Sequence, residues 1–375
     1  MKISCTQENL NQGLNIVSHI ANKNANLPIL SNILFKIEDK ILTLIATNLE
    51  IGITTQVRGK VEQEGEFSVD AKLFNDYVSL LPRERVDLEL EESNVKINCQ
   101  KQNTKIKSFP GSDFPLIPKI KKENPYIITV KNLKSAINET AFSVSTSEAR
   151  PELSGVLIHL NEGKMVLAAT DSYRLAEKKI SLVDGDKNER KIIVPVRTLQ
   201  EISRILGVFK EDISLKEAEN IEVYFSENQI MFSYNGTDLI SRLIEGQYPD
   251  YTQIIPTEHK TRIKINTNNL IKAIKTASLF TKGGIYDVKL EILSAKKELV
   301  ITSSSAQTGE NTSLVEAEVE GVENSIVLNY RYLLDGLQNI NSDTAILEIN
   351  DGNNPCLLKP ENNNNYLYII MPIKQ

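Results

Sequence analysis

The amino-acid sequence predicts an α+β chain of three similar domains, each with two helices packed on antiparallel sheets. Three observations lead there: a helix-and-hairpin unit stated three times, a strand-then-helix unit downstream of each copy, and polar, proline-bearing breaks between copies. The predicted domains run 1–124, 125–251 and 252–375.

The first unit begins behind Thr6, placed as an N-cap, where Leu10, Leu14, Val17 and Ala21 fall on one helical face. Leu27-Pro28-Ile29-Leu30 leads into a strand over 33–37, and 41–47 forms its hairpin partner. In the second copy Leu133, Ala136, Ile137 and Ala141 make the apolar face, with Lys131, Lys134 and Asn138 on the wet one. Strands over 156–160 and 165–169 flank the turn Asn161-Glu162-Gly163. The third copy starts at Asn266, with Leu270, Ala273, Ile274 and Ala277 on the helix and strands over 288–293 and 299–302. Asn9-Leu10, Asn132-Leu133 and Asn269-Leu270 hold the same place in each.

Downstream, 67–70, 192–195 and 326–329 each read as a strand feeding a helix. The predicted apolar faces are Leu73, Tyr77 and Leu80, then Leu199, Ile202 and Leu206, then Leu333, Leu337 and Ile340. Alternating segments follow: 86–90 and 95–99, then 213–215, 221–225 and 230–234, then 345–349, 356–358 and 366–371. The breaks are 110–125, with Pro115, Pro118 and the charge patch 119–122, and 248–261. The run Asn362 to Asn365 reads as a solvated hairpin turn.

With 375 residues, 41% apolar and 25% charged, the chain has the composition of a globular protein of several domains. No apolar run reaches membrane length and the N-terminus lacks the pattern of a signal peptide, so a cytoplasmic location is expected. Cys5, Cys99 and Cys356 are odd in number and far apart, which predicts buried or idle thiols rather than disulfides or a metal cluster. His19, His159 and His259 are scattered, so no metal site and no triad base is expected. There is no P-loop and no Gly-x-Gly-x-x-Gly; Gly283-Gly284 reads as a turn, and Ser303 to Ser305 sit at a strand end. Asp171 and Arg174 read as a structural ion pair rather than an acid and an anion clamp. Neither an enzyme nor a cofactor is expected.

A net charge of −6 argues by itself against a nucleic-acid partner, but the positive charge is gathered on helices. Lys72 with Arg83, Lys131 with Lys134, Arg197 with Arg204 and Lys272 with Lys275 lie on or beside helical faces; Lys23, Lys282 and Arg331 lie near helix ends. Only Glu8, Asp76, Glu139, Glu201 and Asp335 oppose them along those helices. An anionic partner would meet the helical side; the alternative is a set of ordinary solvated helices.

Six motifs, in order within the threefold repeat, make the chain similar to the bacterial DNA polymerase III beta subunits, the replicative sliding clamps. They are Leu27-Pro28-Ile29-Leu30, Thr47-Asn48-Leu49-Glu50, Arg150-Pro151-Glu152-Leu153-Ser154-Gly155-Val156, Ala169-Thr170-Asp171-Ser172-Tyr173-Arg174-Leu175-Ala176, Gly246-Gln247-Tyr248-Pro249-Asp250-Tyr251, and Ile370-Met371-Pro372-Ile373. The resemblance covers essentially the whole chain. It implies the DNA clamp fold and a head-to-tail homodimer that closes a six-domain ring, with helices lining the hole around double-stranded DNA. The residues it would turn toward DNA are Lys23, Lys72, Lys131, Lys134, Arg150, Arg197, Arg204, Lys272, Lys275 and Lys282.

The resemblance also implies an apolar groove for short peptide motifs of the DNA polymerase III alpha subunit, the clamp loader, other DNA polymerases, and mismatch repair and ligase proteins. Carried onto this chain, the groove comprises Leu153, Thr170, Ser172, Tyr173, Arg174, Leu175, Pro249, Ile254, Pro355, Ile369, Ile370, Met371, Pro372 and Ile373. Strand alternation makes one of Ile369 and Ile370 a core residue. The chain departs from the family pattern at Tyr173, where His is frequent, at Lys374 and Gln253, where Arg occurs, at Asn24, where some members carry an Arg, and in the extra Gln375. A monomeric repeat protein acting as an interaction scaffold is the other reading.

Overall fold

A computed structural model of the chain describes residues 1–21, 27–118, 120–147, 149–186, 188–209, 219–281 and 286–374. Lys23, Asn24, Lys119, Lys282, Gly283, Gly284, Gln375 and the expected strand over 213–215 lie outside the described residues. Among those described there are six α-helices, two per repeat: α1 (Gln7–Val17), α2 (Ala71–Ser79), α3 (Val130–Thr140), α4 (Val196–Val208), α5 (Thr267–Ser278) and α6 (Tyr330–Gln338).

Helices α1, α2 and α5 start where short polar side chains satisfy the first free amides. Thr6 Oγ1 accepts from the Asn9 amide at 3.2 Å, Asp70 Oδ1 from Leu73 at 2.8 Å, and Asn266 Oδ1 from Asn269 at 3.0 Å. The leucine of each shared Asn-Leu pair is the fourth residue of its helix and is fully buried. On α2 the expected face is wrong. Leu73 and Leu80 are 55% and 81% exposed, while Ala71, Phe74 and Val78 are buried. Both stripes have helical spacing, so periodicity could not choose. Phe74 wins because its ring packs on Phe35, centroids 4.9 Å apart, and Phe35 stacks on Phe67.

Contacts gather the chain into two compact units. The first contains Met1–Lys131, Leu182–Asp186 and Arg197–Leu243; the second contains Asn132–Ser181, Lys187–Val196 and Ile244–Gln375. The strands of the second repeat are thus divided between them. In the first unit a five-stranded sheet runs Gly59–Gln63, Lys2–Thr6, Arg85–Glu91, Asn94–Cys99, Gln102–Lys107. A nine-stranded sheet runs Phe109–Pro110, Gly65–Asp70, Asn32–Glu38, Ile41–Thr47, Ile51–Val57, Thr237–Arg242, Gln229–Tyr234, Asn220–Phe225, Tyr126–Thr129. Its centre is a join between repeats: Ile51–Val57, the strand after the first hairpin, pairs with Thr237–Arg242, the last strand of the second repeat. Thr55 lies opposite Thr237, and their buried hydroxyls hydrogen-bond at 2.7 Å.

The twelve-stranded sheet of the second unit runs Arg190–Pro195, Gly155–Asn161, Lys164–Thr170, Arg174–Ser181, Tyr366–Ile370, Cys356–Pro360, Thr344–Ile349, Thr261–Asn266, Gly309–Gly321, Glu298–Ser305, Asp287–Leu293, Asn324–Asn329. It repeats the join one copy later. Arg174–Ser181, the strand after the second hairpin, pairs with Tyr366–Ile370, the last strand of the third repeat. By the same pattern two strands lack a partner among the described residues. Gln102–Lys107, the last long strand of the first repeat, before the two-residue Phe109–Pro110, is a sheet edge. Residues 309–316, the strand after the third hairpin, pair on one side only, with Glu298–Ser305.

The core of the second unit joins α5 and α6 to the inner faces of these strands, through Leu270, Ile274, Leu290, Ile301, Leu333, Leu337, Leu347 and Tyr368. Gly336 is fixed by close approach: a Cβ there would fall 2.4 Å from the Tyr368 ring. All three cysteines are free and buried, as the sequence implied, and burial raises the Cys5 and Cys356 thiols to about 12. The asparagine run forms the turn between Cys356–Pro360 and Tyr366–Ile370.

Candidate functional site

Most of the groove residues expected from the sequence gather in the second unit, around the turn that links Lys164–Thr170 to Arg174–Ser181. Local hydrogen bonds lock this turn. Thr170 Oγ1 donates to the Arg174 carbonyl at 2.6 Å and accepts from the Ser172 amide at 3.1 Å; Asp171 Oδ1 accepts from the Tyr173 and Arg174 amides, each at 3.0 Å. Ser172 pays for the reversal with a φ of 78°. The Met371 amide donates to the Tyr173 carbonyl at 2.9 Å, tying the chain's tail to the turn, and the Ile373 amide donates to Val327 O at 2.9 Å.

An apolar floor lies beneath. Leu175 and Ile369 are buried with Leu157, Ala168, Tyr251 and Leu357, and Tyr248 and Ile255 pack against them. Leu153, in the 3-10 turn Pro151–Ser154, is buried as well. Above the floor Pro249, Pro355, Met371, Pro372 and Ile373 are half-buried, while Ile254 and Tyr173 are exposed. The expectation that only one of Ile369 and Ile370 is core needs correction, because both are fully covered. Alternation sends Ile369 to the floor cluster and Ile370 into the main core with Tyr368 and Ala176.

Arg174 is a largely buried post, with 11% of its side chain exposed. Its Nε donates to Asp171 Oδ2 at 3.0 Å, Nη1 to Asp335 Oδ2 on α6 at 2.5 Å, and Nη2 to the Phe142 carbonyl at 3.0 Å, while the guanidinium lies 4.6 Å from the Tyr332 ring centroid. The ion pair with Asp171 is present, as the sequence implied. Sequence reasoning missed two tyrosines that brace the floor. Tyr248 Oη accepts from the Thr170 amide at 3.1 Å, and Tyr251 Oη donates to the buried Glu177 carboxylate at 2.6 Å. Burial raises both phenols well above the usual tyrosine range, and Glu177 raises Tyr251 further. The signal was the motif Gly246-Gln247-Tyr248-Pro249-Asp250-Tyr251, of which only Pro249 was assigned to the groove.

The helix cations divide into two groups. Lys72, Lys131, Arg197, Lys272 and Lys275 are exposed on their helices, and Lys134 is half-buried. Arg204 and Arg150 do not fit the expected DNA-facing role. Arg204 Nη2 donates to Glu201 Oε1 at 2.6 Å, and its Nη1 and Nη2 donate to the Asn15 and Ile16 carbonyls at 2.9 and 2.7 Å. The guanidinium caps the end of α1, where carbonyls lack partners and the helix dipole is negative. Arg150 Nε donates to Glu152 at 2.9 Å and its Nη1 to Ser172 Oγ at 3.3 Å, which places it at the rim of the groove turn. Helix α1 carries amides rather than cations on its wet side, with Asn9 and Gln12 beside Glu8. Among the described residues, no group of three or more His, Cys, Asp or Glu side chains is placed to hold a metal ion.

Comparison with known proteins matches three family models in chain order: the N-terminal domain of the DNA polymerase III beta subunit over residues 1–118, its central domain over 127–250 and its C-terminal domain over 252–374. The beta sliding clamp of Streptococcus pneumoniae (strain ATCC BAA-255 / R6) is 33% identical over 380 residues, covering 97% of this chain and 96% of that one. The chain belongs to the DNA polymerase III beta subunits, the beta sliding clamps. The fold agrees. A DNA polymerase sliding clamp from Bacillus subtilis superposes with a TM-score of 0.92 at 27% identity, covering 100% of this chain and 99% of that one. A sliding clamp from Bartonella birtlesii bound to griselimycin gives 0.91 at 26%, with full coverage of both. Family membership accounts for the threefold repeat and for a site without catalytic groups.

Proposed function

We propose that two copies of this chain close head to tail into a ring around duplex DNA and act as the non-catalytic processivity factor of bacterial replication. The observation that carries this reading is the repeated strand join. Each repeat offers the strand after its hairpin to the last strand of the next repeat, twice within the chain. The two strands left over, Gln102–Lys107 and residues 309–316, are the two halves of a third join. A second copy supplies each missing half, and closure removes both open edges. Lys101 and Lys107 flank one edge, and Glu310 and Glu316 lie along the other, so their charges are complementary. The chain is then organised as domains 1–124, 125–251 and 252–375, in the cytoplasm with the DNA. Among the described residues no helix is long and apolar enough to cross a membrane.

Lys72, Lys131, Lys134, Arg197 and Lys272 supply a positive lining. Duplex DNA carries about one negative charge per 1.7 Å of axis, and contact with phosphates alone carries no sequence information, so the ring slides. Protein placed by a clamp loader on nicked circular duplex DNA should stay bound and leave when the circle is cut. Release from the intact circle at the rate seen on a linear duplex would refute the ring. Lys134→Glu combined with Lys272→Glu should lower loading.

The groove holds partner tails. A Leu or Phe side chain descends between Ile254, Pro249, Pro355 and Met371 to the floor of Leu153, Leu175 and Ile369, with Thr170, Ser172, Tyr173 and Arg174 shaping one wall and Pro372 and Ile373 the other. Met adapts to different guests. A fluorescent peptide copied from the C-terminal tail of a DNA polymerase III alpha subunit should bind the wild type and lose about tenfold or more in affinity with Met371→Asp, since a carboxylate must be desolvated there. Equal affinity in a folded variant would remove the groove assignment.

A further inference from the structure

The second helix of every repeat carries a carboxylate as its sixth residue: Asp76 in α2, Glu201 in α4 and Asp335 in α6. Two of the three are used alike. Glu201 holds Arg204, which reaches the Asn15 and Ile16 carbonyls at the end of α1. Asp335 holds Arg174, which reaches the Phe142 carbonyl just beyond α3. In both joins an arginine therefore links the second helix of one repeat to the end of the first helix of the repeat before it.

Asp76 is exposed, and its carboxylate has no hydrogen-bond or ion-pair partner among the described residues. The ninth residue of α2 is Ser79, where α4 has Arg204, so the helix brings no arginine of its own. The first helices differ in a matching way. Their ninth residues are Asn15 in α1, Asn138 in α3 and Lys275 in α5. Lys275 is exposed, with its ammonium unpartnered among the described residues. Where the other two first helices present an amide, α5 presents a cation. Each charge also shares a helical stripe with an exposed leucine four residues on, Leu80 beside Asp76 and Leu279 beside Lys275, 81% and 70% exposed.

We propose that Asp76 pairs with Lys275 of a second copy across the join that closes the ring. The inference rests on the ring reading above and assigns one ion pair within it, moving Lys275 from the duplex-facing set to the seam. Inside the chain the cation comes as an arginine from the same repeat as the carboxylate or from the neighbouring turn; at the seam it is built into the first helix.

Sedimentation equilibrium of the full chain, run at low and high salt, tests this. Asp76→Lys sets two cations against each other and should raise the dimer dissociation constant about tenfold or more. Adding Lys275→Asp reverses the pair and should bring the constant back to within about threefold of wild type. Asp76→Lys with an unchanged constant overturns the proposal, and so does a weakened dimer that Lys275→Asp fails to restore. A wild-type chain that is monomeric throughout the range would instead refute the ring itself, so the two failures are distinguishable.

Discussion

Leu80→Asp should convert the protein from dimer to monomer in light scattering and abolish its retention on circular DNA, with the circular dichroism spectrum unchanged. Leu80 is 81% exposed in the single chain, so the substitution costs the fold little. At the closed seam proposed above the same side chain would be covered. Burying a leucine contributes about 1.5–3 kcal/mol, and placing a carboxylate there adds a desolvation cost, so a loss of about 3 kcal/mol or more is expected. That is over a hundredfold in the dissociation constant. The variant should still bind polymerase tails, because the groove proposed above is built from residues of the second unit alone. A dimer that survives the substitution would place the seam elsewhere.

Arg204→Ala should lower stability by about 3 kcal/mol, read as a fall in the urea midpoint. Glu201 has 5% of its side chain exposed and Arg204 28%, so truncation strands a nearly buried carboxylate, with only His19 Nδ1 at 2.7 Å to face it among the described residues. Breaking a buried pair on one side costs about 3–5 kcal/mol, and the partial exposure of Arg204 argues for the lower end. The Asn15 and Ile16 carbonyls lose their donors as well. Arg197→Ala is the contrast. Arg197 is exposed on the same helix, so its loss should leave the midpoint within about 0.5 kcal/mol and show up only as faster release from DNA at moderate salt. Equal effects from both substitutions would return Arg204 to the DNA-facing set.

These two arginines show what sequence reading could and could not resolve. Spacing places both on one helix, but the role of Arg204 depends on the end of α1, nearly two hundred residues away in sequence. The helices and hairpins were legible because each carries a local period, and the capping role of Thr6 is equally local. Of the strands that make the joins, Tyr366–Ile370 was legible and the other three were not. Ile51–Val57 and Arg174–Ser181 carry Thr, Gln, Lys and Glu among their apolar residues, and their partners lie in another repeat. On α2 two apolar stripes of equal spacing competed, and only Phe35 and Phe67 decided between them. Around the turn at 170–174 the residues named from the resemblance were legible as a motif, while the two tyrosine hydroxyls beneath them depend on burial that no local pattern reports.

The division of the second repeat between the two units carries a consequence for folding and for excision. Its border runs through the first turn of α3 and the start of α4, so cooperative blocks and repeats are out of phase. Amide exchange should accordingly report protection that changes inside the central repeat rather than at its ends. No single repeat can then be cut out as a self-sufficient piece. Removing the first would strip Thr237–Arg242 of its neighbour, and removing the third would strip Arg174–Ser181. The covalent chain is modular, whereas the physical object is not: its smallest complete part is a join, which always takes half from each of two repeats.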